Sequence, residues 1–200
     1  MLVLISDGSV TAAQQPTSLR NSETLEQIYG GGINFDVFLA NADRRKELWQ
    51  LNWLKSAPSD EWVSRARSLT GRYRLLAVAV DSCSDSVNTI PYIARLVNQV
   101  DQLELQIVHP RIGRVIMDTY QTPDGRGATP TVVILDENFE VAGVWVERPL
   151  PLQDWWIGNP KISDRDKVQR KQSWYDWDEG AHTIREVVKL LEAADADSGH

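Results

Sequence analysis

The chain has 200 residues, of which 42% are hydrophobic and 24% charged, and its formal net charge is −7. The length allows one domain with a substantial core. The acidic balance argues against a general nucleic-acid binder and against a protein that binds anionic membranes, since both need a basic surface. The single cysteine excludes an internal disulfide, and every apolar run is far shorter than the roughly 20 residues of a membrane helix.

The first 34 residues are interpreted as a lead that precedes the fold. Residues 1–20 mix small polar residues without a sustained period. Residues 1–5 are apolar, but they lack the basic segment and the longer apolar segment of a signal peptide, so we expect a cytoplasmic protein of bacterial type. Gly30-Gly31-Gly32 predicts a hinge or a tight loop.

Residues 35–71 are predicted to form a helical extension. Apolar residues recur at helical spacing in two stretches, which are separated by Pro58 and Ser59 and closed by Gly71. The basic run Arg44-Arg45-Lys46 is interpreted as a solvated helix face. The apolar positions are Phe35, Phe38, Leu39, Ala42, Leu48, Trp49, Trp53, Trp62, Val63, Ala66 and Leu69.

Residues 72–148 carry the pattern of an α/β core. The run over residues 75–80 is continuously apolar, which is typical of a strand in a sheet covered on both faces. Amphipathic helices and shorter apolar strands follow, and Asp136-Glu137-Asn138 predicts a hairpin turn. The order is β-α-β-α-β-β, with strands at residues 75–80, 103–108, 131–135 and 141–146 and helices over residues 87–100 and 112–119.

Residues 149–195 are predicted to form a C-terminal helical segment of the same single domain, which spans residues 1–200. Residues 149–178 are rich in proline, tryptophan and charge. Thr183 and Glu186 have the spacing of a capping box and predict the start of a final helix there. The acidic tail from Asp195 is expected to fray.

Three local features of this core resemble thioredoxin. Cys83-Ser84-Asp85-Ser86 lies at the strand-to-helix turn where thioredoxins carry Cys-x-x-Cys. Pro91 follows eight residues later, at the place of the helix-kinking proline, and Thr129-Pro130 precedes the third strand, at the place of the cis-proline. The resemblance implies a thioredoxin-like fold: a central four-stranded mixed sheet flanked by helices, here with an N-terminal helical extension and a Trp-rich C-terminal helical segment.

More specifically, the chain resembles the bacterial thioredoxin-like proteins that carry a monothiol Trp-Cys-Gly-Asp motif. The helix after the cysteine reads Asn88-Thr89-Ile90-Pro91, where that family has Asn-Leu-Pro. Arg148-Pro149 and Trp174-Tyr175 also resemble family text. The resemblance covers roughly residues 35–192 and is strongest over residues 75–150.

Cys83 is the candidate nucleophile. A helix N-terminus favours a thiolate over a thiol through its unpaired N–H groups and its partial positive charge. Ser86 is placed one turn on to donate a hydrogen bond to the sulfur, whereas the carboxylate of Asp85 suits the helix dipole but repels a thiolate. The alternative is that Cys83 is a small, unreactive packing residue.

Four departures from the thioredoxin pattern weaken the expectation of a dithiol cycle. Ser86 replaces the second cysteine, so no internal disulfide can release a mixed disulfide. Ser82 stands where the tryptophan before the cysteine is usual, and Ser84 where the family has glycine. Ala77 replaces the acid that thioredoxins bury in the first strand. A monothiol cycle would need an outside thiol, from glutathione or a partner protein, and a homodimer linked through Cys83 is a second expectation.

Other residues give weaker signals. The resemblance implies a cis bond at Thr129-Pro130, which would let an extended substrate pair with Thr129 beside the cysteine. Arg126 is a candidate contact for a thiolate or a glutathione carboxylate, against the alternative of a solvated loop arginine. His109 is interpreted as structural. The sequence shows no zinc-like cluster, and no metal or cofactor is expected. The tryptophans of residues 155–177 form either a recognition surface or the cover of an enlarged core.

Three functions remain open from the sequence. The first is a monothiol redox protein that exchanges thiols and disulfides, or senses thiols, through Cys83. The second is a non-catalytic binding module that contacts a protein through the cis-proline edge or the Trp-rich segment. The third and weakest is a glutathione-dependent enzyme of the glutaredoxin or transferase kind.

Overall fold

The computed structural model describes residues 24–198. Within this range four strands form one sheet, and helices cover both of its faces. The strands are β1 (Tyr73–Val78), β2 (Leu103–Val108), β3 (Thr131–Leu135) and β4 (Val141–Val146). The helices are α1 (Leu25–Gly30), α2 (Phe35–Asn41), α3 (Lys46–Lys55), α4 (Asp60–Arg67), α5 (Ser84–Val97), α6 (Arg114–Thr119), α7 (Leu150–Gly158), α8 (Asp164–Asp178) and α9 (Ala181–Ser198).

The sheet has the strand order β2-β1-β3-β4. Strands β1 and β2 are parallel and are joined by α5, whereas β1 pairs antiparallel with β3, and β3 with β4. This confirms the predicted mixed four-stranded sheet flanked by helices. Strand β1 is therefore central, and its carboxyl end delivers the chain to Cys83.

Successive side chains of a strand point to opposite faces of the sheet, and this divides the core into two clusters. Leu75 and Ala77 face the layer that contains α3, α4, α5 and α9, and Leu76 and Val78 face the layer of α1 and α6. Because β1 is buried on both faces from Leu75 to Val78, its sequence there is a continuous apolar run rather than an alternating one. Ala77 lies in the first cluster and is fully buried.

Helix α1 lies within residues 1–34, which are predicted to be a lead, and no helix is predicted there. Its signal is local: the Thr24 side chain accepts a hydrogen bond from Gln27 N, and the Gln27 side chain accepts one from Thr24 N, which is a capping box. Leu25 and Ile28 then pack on the second face of the sheet. Residues 1–23 lie outside the described residues, and with them most of the predicted lead.

Helix α5 is continuous through Pro91 because a neighbouring helix compensates for the missing N–H. Proline cannot donate to the carbonyl four residues earlier, which here belongs to Val87. The side-chain amide of Asn52, on α3, donates to that carbonyl at 2.7 Å. Asn52 is buried, so this hydrogen bond fixes α3 against the helix that begins at Cys83.

The predicted start of the last helix is wrong. Helix α9 begins at Ala181, so Thr183 lies inside the helix and is fully buried rather than capping its end. The Glu186 carboxylate instead accepts hydrogen bonds from Trp145 Nε1 and Leu150 N, both at 2.9 Å. A Thr-x-x-Glu pattern cannot distinguish a cap from a helix interior when the glutamate has a tertiary partner.

The C-terminal tail does not fray at Asp195 in this structure. Helix α9 continues to Ser198, and the Asp195 carboxylate accepts hydrogen bonds from Thr70 N and Gly71 N, at the connection that leads into β1. The tail therefore anchors the loop between α4 and the central strand.

Candidate functional site

Cys83 is the N-cap residue of α5. Its backbone is extended, and its Sγ accepts a hydrogen bond from Ser86 N at 3.4 Å. The Cys83 N–H donates to the Val80 carbonyl at 3.1 Å, which closes the turn that follows β1. The thiol is half-buried. A sulfur in this position receives one of the free N–H groups of a helix start, as the sequence predicts for Cys83.

Thr129 and Pro130 lie directly against this sulfur. The Cys83 thiol donates to the Thr129 carbonyl at 3.1 Å, and the Thr129–Pro130 peptide bond is cis. The Pro130 carbonyl in turn accepts from Glu147 N at 2.7 Å, which ties this edge to the end of β4. Thr129 is half-buried and Pro130 is buried. The thiol is therefore flanked by a helix start on one side and by this edge on the other.

Ser86 contributes its backbone to the site rather than its hydroxyl. The predicted hydrogen bond to the sulfur comes from the Ser86 N–H. The Ser86 hydroxyl is buried and has no hydrogen-bond partner among residues 24–198.

Asp85 is the most densely bonded residue of the turn. Its carboxylate accepts hydrogen bonds from the Tyr175 hydroxyl and from Lys171 Nζ, both at 2.7 Å, and Arg148 Nε lies 3.4 Å away. All four side chains are buried. Lys171 Nζ also donates to Ser84 Oγ at 2.8 Å. The expected repulsion of a thiolate by Asp85 is thus opposed by two cations that contact the same carboxylate.

A second buried carboxylate extends the cluster. Glu147 has a left-handed backbone, with φ of 65°, and its carboxylate pairs with Arg148 at 2.5 Å and with Arg126 at 3.2 Å. Arg126 also pairs with Asp124 at 2.7 Å. Arg126 therefore joins the site through Glu147, and carboxylates engage its guanidinium on two sides.

The ring of Trp156 covers the cations of this cluster. The Arg148 guanidinium and Lys171 Nζ lie 4.5 and 5.5 Å from the ring centroid. Lys167 Nζ lies 5.2 Å from the same ring but is not one of the cluster's cations, since it donates to the Trp156 carbonyl rather than to Asp85 or Glu147. Such contacts favour a buried cation when water is excluded. Helices α7 and α8 thus close the site from the C-terminal side.

The electrostatics of the cluster act strongly on Tyr175. Burial raises the pKa of Tyr175 well above its usual value, and the negative charge of Asp85 and its hydrogen bond add to this rise, opposed by Arg148. The phenol is therefore neutral and serves as a hydrogen-bond donor to Asp85.

The turn before Cys83 is held by the basic run of the extension, which is not simply a solvated helix face. Arg44 and Arg45 precede α3, and the helix begins at Lys46. Arg44 N donates to the Asp81 carboxylate at 2.8 Å, and Arg45 Nε donates to the Ser82 carbonyl at the same distance. These bonds join the N-terminal extension to the loop that carries Cys83.

The Trp-rich segment does not belong to either core cluster. Trp155 and Trp156 are half-buried on α7, and Trp177 on α8 is 72% exposed. Beside Trp177, α8 lines an open groove of about 510 Å³ together with Trp174. Its other lining residues are Asp166, Gln169, Arg170 and Ser173.

The structure brings five of the six predicted site residues together at this turn, namely Cys83, Asp85, Ser86, Thr129 and Pro130, and it connects the sixth, Arg126, to the cluster through Glu147. It adds four residues that the sequence did not single out for this site, which are Glu147, Arg148, Lys171 and Tyr175. Two of these lie in pairs noticed for the family resemblance, Arg148-Pro149 and Trp174-Tyr175. The resemblance therefore marks these two positions in the sequence, but it assigns no function to the side chain of Arg148 or Tyr175.

The histidines lie elsewhere. His109 accepts a hydrogen bond from Arg111 N, His182 pairs with Asp178 on α9 and α8, and His200 lies outside the described residues. Across residues 24–198 no three His, Cys, Asp or Glu side chains group as metal ligands would. No helix in that range is both long enough and apolar enough to cross a membrane.

Comparison with known proteins identifies the fold family. The thioredoxin family model matches residues 32–174. A protein of unknown function from Pseudomonas aeruginosa has a similar crystal structure, with a TM-score of 0.67 and 22% identity over 84% of this chain and 97% of that chain. An HIV epitope-scaffold is similar at a TM-score of 0.65 and 22% identity, over 84% and 96% of the two chains. No curated protein matches the sequence.

Proposed function

Because this chain belongs to the thioredoxin family, we propose that it is a monothiol redox protein in which Cys83 exchanges with disulfides of other molecules. The observation that carries the proposal is the position of the sulfur. It caps α5 and accepts a hydrogen bond from Ser86 N, and the Thr129–Pro130 edge lies directly against it. An N–H donor at a helix start stabilises the thiolate, which is the form of cysteine that attacks disulfides.

The exchange has two steps. The Cys83 thiolate attacks one sulfur of a disulfide R–S–S–R′, so that a Cys83–S–S–R bond forms, the S–S bond of the substrate breaks, and R′S⁻ leaves and takes up a proton. The chain holds one cysteine, so the second step needs an outside thiol. That thiolate attacks the sulfur of R, and the Cys83 thiolate leaves.

The substrates that fit this scheme are glutathione disulfide and exposed protein disulfides. An extended chain beside the sulfur would lie along Thr129 and Pro130, which border Cys83 directly. Arg126 is 47% exposed and is the candidate contact for a substrate carboxylate. It would have to exchange Asp124 or Glu147 for that ligand, so we assign it a secondary part.

Incubation with glutathione disulfide tests the proposal. Intact mass spectrometry of the native chain should show one glutathione adduct, which added reduced glutathione removes, and the Cys83→Ser variant should show none. The same chain unfolded in urea provides a matched control for intrinsic thiol reactivity. A native chain that reacts far more slowly than the unfolded one would rule out the proposal, because Cys83 would then be a packing residue. The masses also reveal a disulfide-linked dimer through Cys83.

The exposed groove on α8 favours a second candidate, a binding module that contacts a protein through its Trp-rich segment. Trp177 is 72% exposed beside Trp174, and exposed aromatic side chains are common anchors at interfaces. The two functions separate by variant. Partner capture that persists in Cys83→Ser but is lost in Trp177→Ala would favour the binding module.

A further inference from the structure

Lys171 reaches across the fold to the turn that holds Cys83. Its Nζ donates to Ser84 Oγ at 2.8 Å and to Asp85 Oδ2 at 2.7 Å, so it binds both residues that follow the cysteine. The Lys171 side chain is 8% exposed and that of Asp85 is 7% exposed. A buried lysine that makes two short hydrogen bonds to one turn fixes the position of that turn.

The buried charges around this turn balance. Asp85 and Glu147 contribute two negative charges, and Lys171 and Arg148 two positive ones, and all four side chains are less than a tenth exposed. An unbalanced charge in such a place would act strongly on its neighbours, since water screens it little. Titratable and charged groups face the turn from five directions. Asp85 belongs to the turn itself, Lys171 and Tyr175 lie on α8, and Glu147 and Arg148 follow β4. Arg126 and Asp124 lie before β3, Asp81 lies before α5, and Arg45 lies before α3.

We propose that Lys171 is a positioning residue of the Cys83 site, which neutralises Asp85 and holds the Ser84–Asp85 turn so that the thiolate forms beside a compensated carboxylate. The inference rests on the proposed thiol exchange. It explains how Asp85 can lie two residues after a nucleophilic sulfur, a place where an unpaired negative charge would oppose ionisation of the Cys83 thiol.

The pH dependence of Cys83 alkylation measures this role. In Lys171→Met the cluster has one excess negative charge, so the midpoint of the alkylation profile should move about one pH unit upward, with about tenfold slower reaction below the midpoint. In Asp85→Asn the cluster has one excess positive charge, and the midpoint should move downward. The double variant Asp85→Asn with Lys171→Met restores the balance and should return close to wild type.

Lys167→Met is the matched control. Lys167 is also a buried lysine on α8 near the Trp156 ring, but it donates to the Trp156 carbonyl and not to the Cys83 turn. Its substitution should leave the midpoint unchanged. Loosening of α8 in general would affect both lysine variants in the same way.

Opposite shifts in the two single variants, cancelling in the double, would support the proposal. Unchanged midpoints, or shifts in the same direction, would overturn it. If Lys171→Met does not fold, the comparison of Asp85→Asn with the double variant decides. The double variant also removes the positive charge of Lys171, so its midpoint must lie above that of Asp85→Asn. Failure of the thiol exchange itself is separate, since it appears as a wild-type chain that forms no glutathione adduct.

Discussion

The Tyr175 hydroxyl donates a hydrogen bond of 2.7 Å to Oδ1 of Asp85, across 90 residues of sequence. Both side chains are buried, and burial keeps the phenol protonated by raising the pKa of Tyr175. The bond joins α8 to the first turn of α5. The C-terminal helical segment is therefore part of the cysteine site rather than an appendage to it.

Tyr175→Phe should destabilise the protein by about 1.5–3 kcal/mol, since a buried carboxylate loses a hydrogen-bond donor. Urea denaturation followed by circular dichroism measures the change in the free energy of unfolding. Tyr120→Phe is the matched control, because the Tyr120 hydroxyl is buried without a hydrogen-bond partner in the described part of the chain. Equal effects of the two substitutions would show that the bond to Asp85 contributes nothing.

Ser86→Cys should convert the site from a monothiol into a dithiol site. The substitution breaks no side-chain hydrogen bond found within residues 24–198, and it places a second thiol one turn after Cys83. The introduced thiolate would attack the Cys83 sulfur of a mixed disulfide, form an internal disulfide with Cys83 and release the bound thiol. Intact mass spectrometry after glutathione disulfide treatment should then show a short-lived adduct and an oxidised chain.

Ser173→Cys is the control for that experiment, since it adds a thiol on the exposed groove of α8 and not in the turn. It should leave the Cys83 adduct as persistent as in the wild type. A persistent adduct in Ser86→Cys as well would mean that the buried position cannot bring the two sulfurs into contact.

Local patterns in the sequence were sufficient to predict the bounds of most strands of the sheet. The predicted bounds of β2, β3 and β4 agree with the structure, and β1 begins two residues earlier than predicted, at Tyr73. Apolar runs with β-branched residues specify such strands without tertiary information. The predicted run over residues 75–80 extended too far because Ala79 and Val80 are apolar but follow the end of the strand.

The site was predictable only where its residues are close in sequence or marked by the family pattern. Cys83, Asp85 and Ser86 share one turn, and Thr129-Pro130 has a position fixed by the resemblance. Lys171 contacts Asp85 from 86 residues away, on a helix whose sequence is mostly polar. A buried lysine on such a helix has no periodic signature, because its burial depends on a partner that only the fold supplies.

Gly180→Ala should destabilise the junction of α8 and α9 by about 2–5 kcal/mol. Gly180 has φ of +79°, and a Cβ there would lie 2.2 Å from Cγ of the Tyr92 ring. The variant therefore combines left-handed backbone strain with a clash against a buried ring on α5. Thermal or urea unfolding measures the loss.

Gly125→Ala separates these two causes. Gly125 has φ of +78°, but a Cβ there would meet no atom within 4 Å. Gly125→Ala should lower the free energy of unfolding by about 1 kcal/mol, from backbone strain alone. If Gly180→Ala cost no more than this, the close packing of Tyr92 against the junction would be disproved.

Asp195→Ala should destabilise the protein by about 1–3 kcal/mol, because Thr70 N and Gly71 N both lose their acceptor. Burial alone would raise the pKa of Asp195, but these hydrogen bonds outweigh it and hold the pKa below its usual value. The folded state therefore binds this proton more weakly than the unfolded state. The stabilisation is present above the unfolded pKa of about 4 and is lost as the pH falls through the lower folded value.

Urea denaturation of the wild type and of Asp195→Ala from pH 7 down to acid pH checks this prediction. The difference in the free energy of unfolding between them should shrink as the pH falls below about 4. Protonation removes the negative charge of the wild-type carboxylate and so weakens its hydrogen bonds to the two N–H groups. Asp197→Ala is the matched control, because Asp197 lies on the same last turns of α9 and is exposed. A difference that stays constant with pH would mean that Asp195 acts through packing and not through its charge.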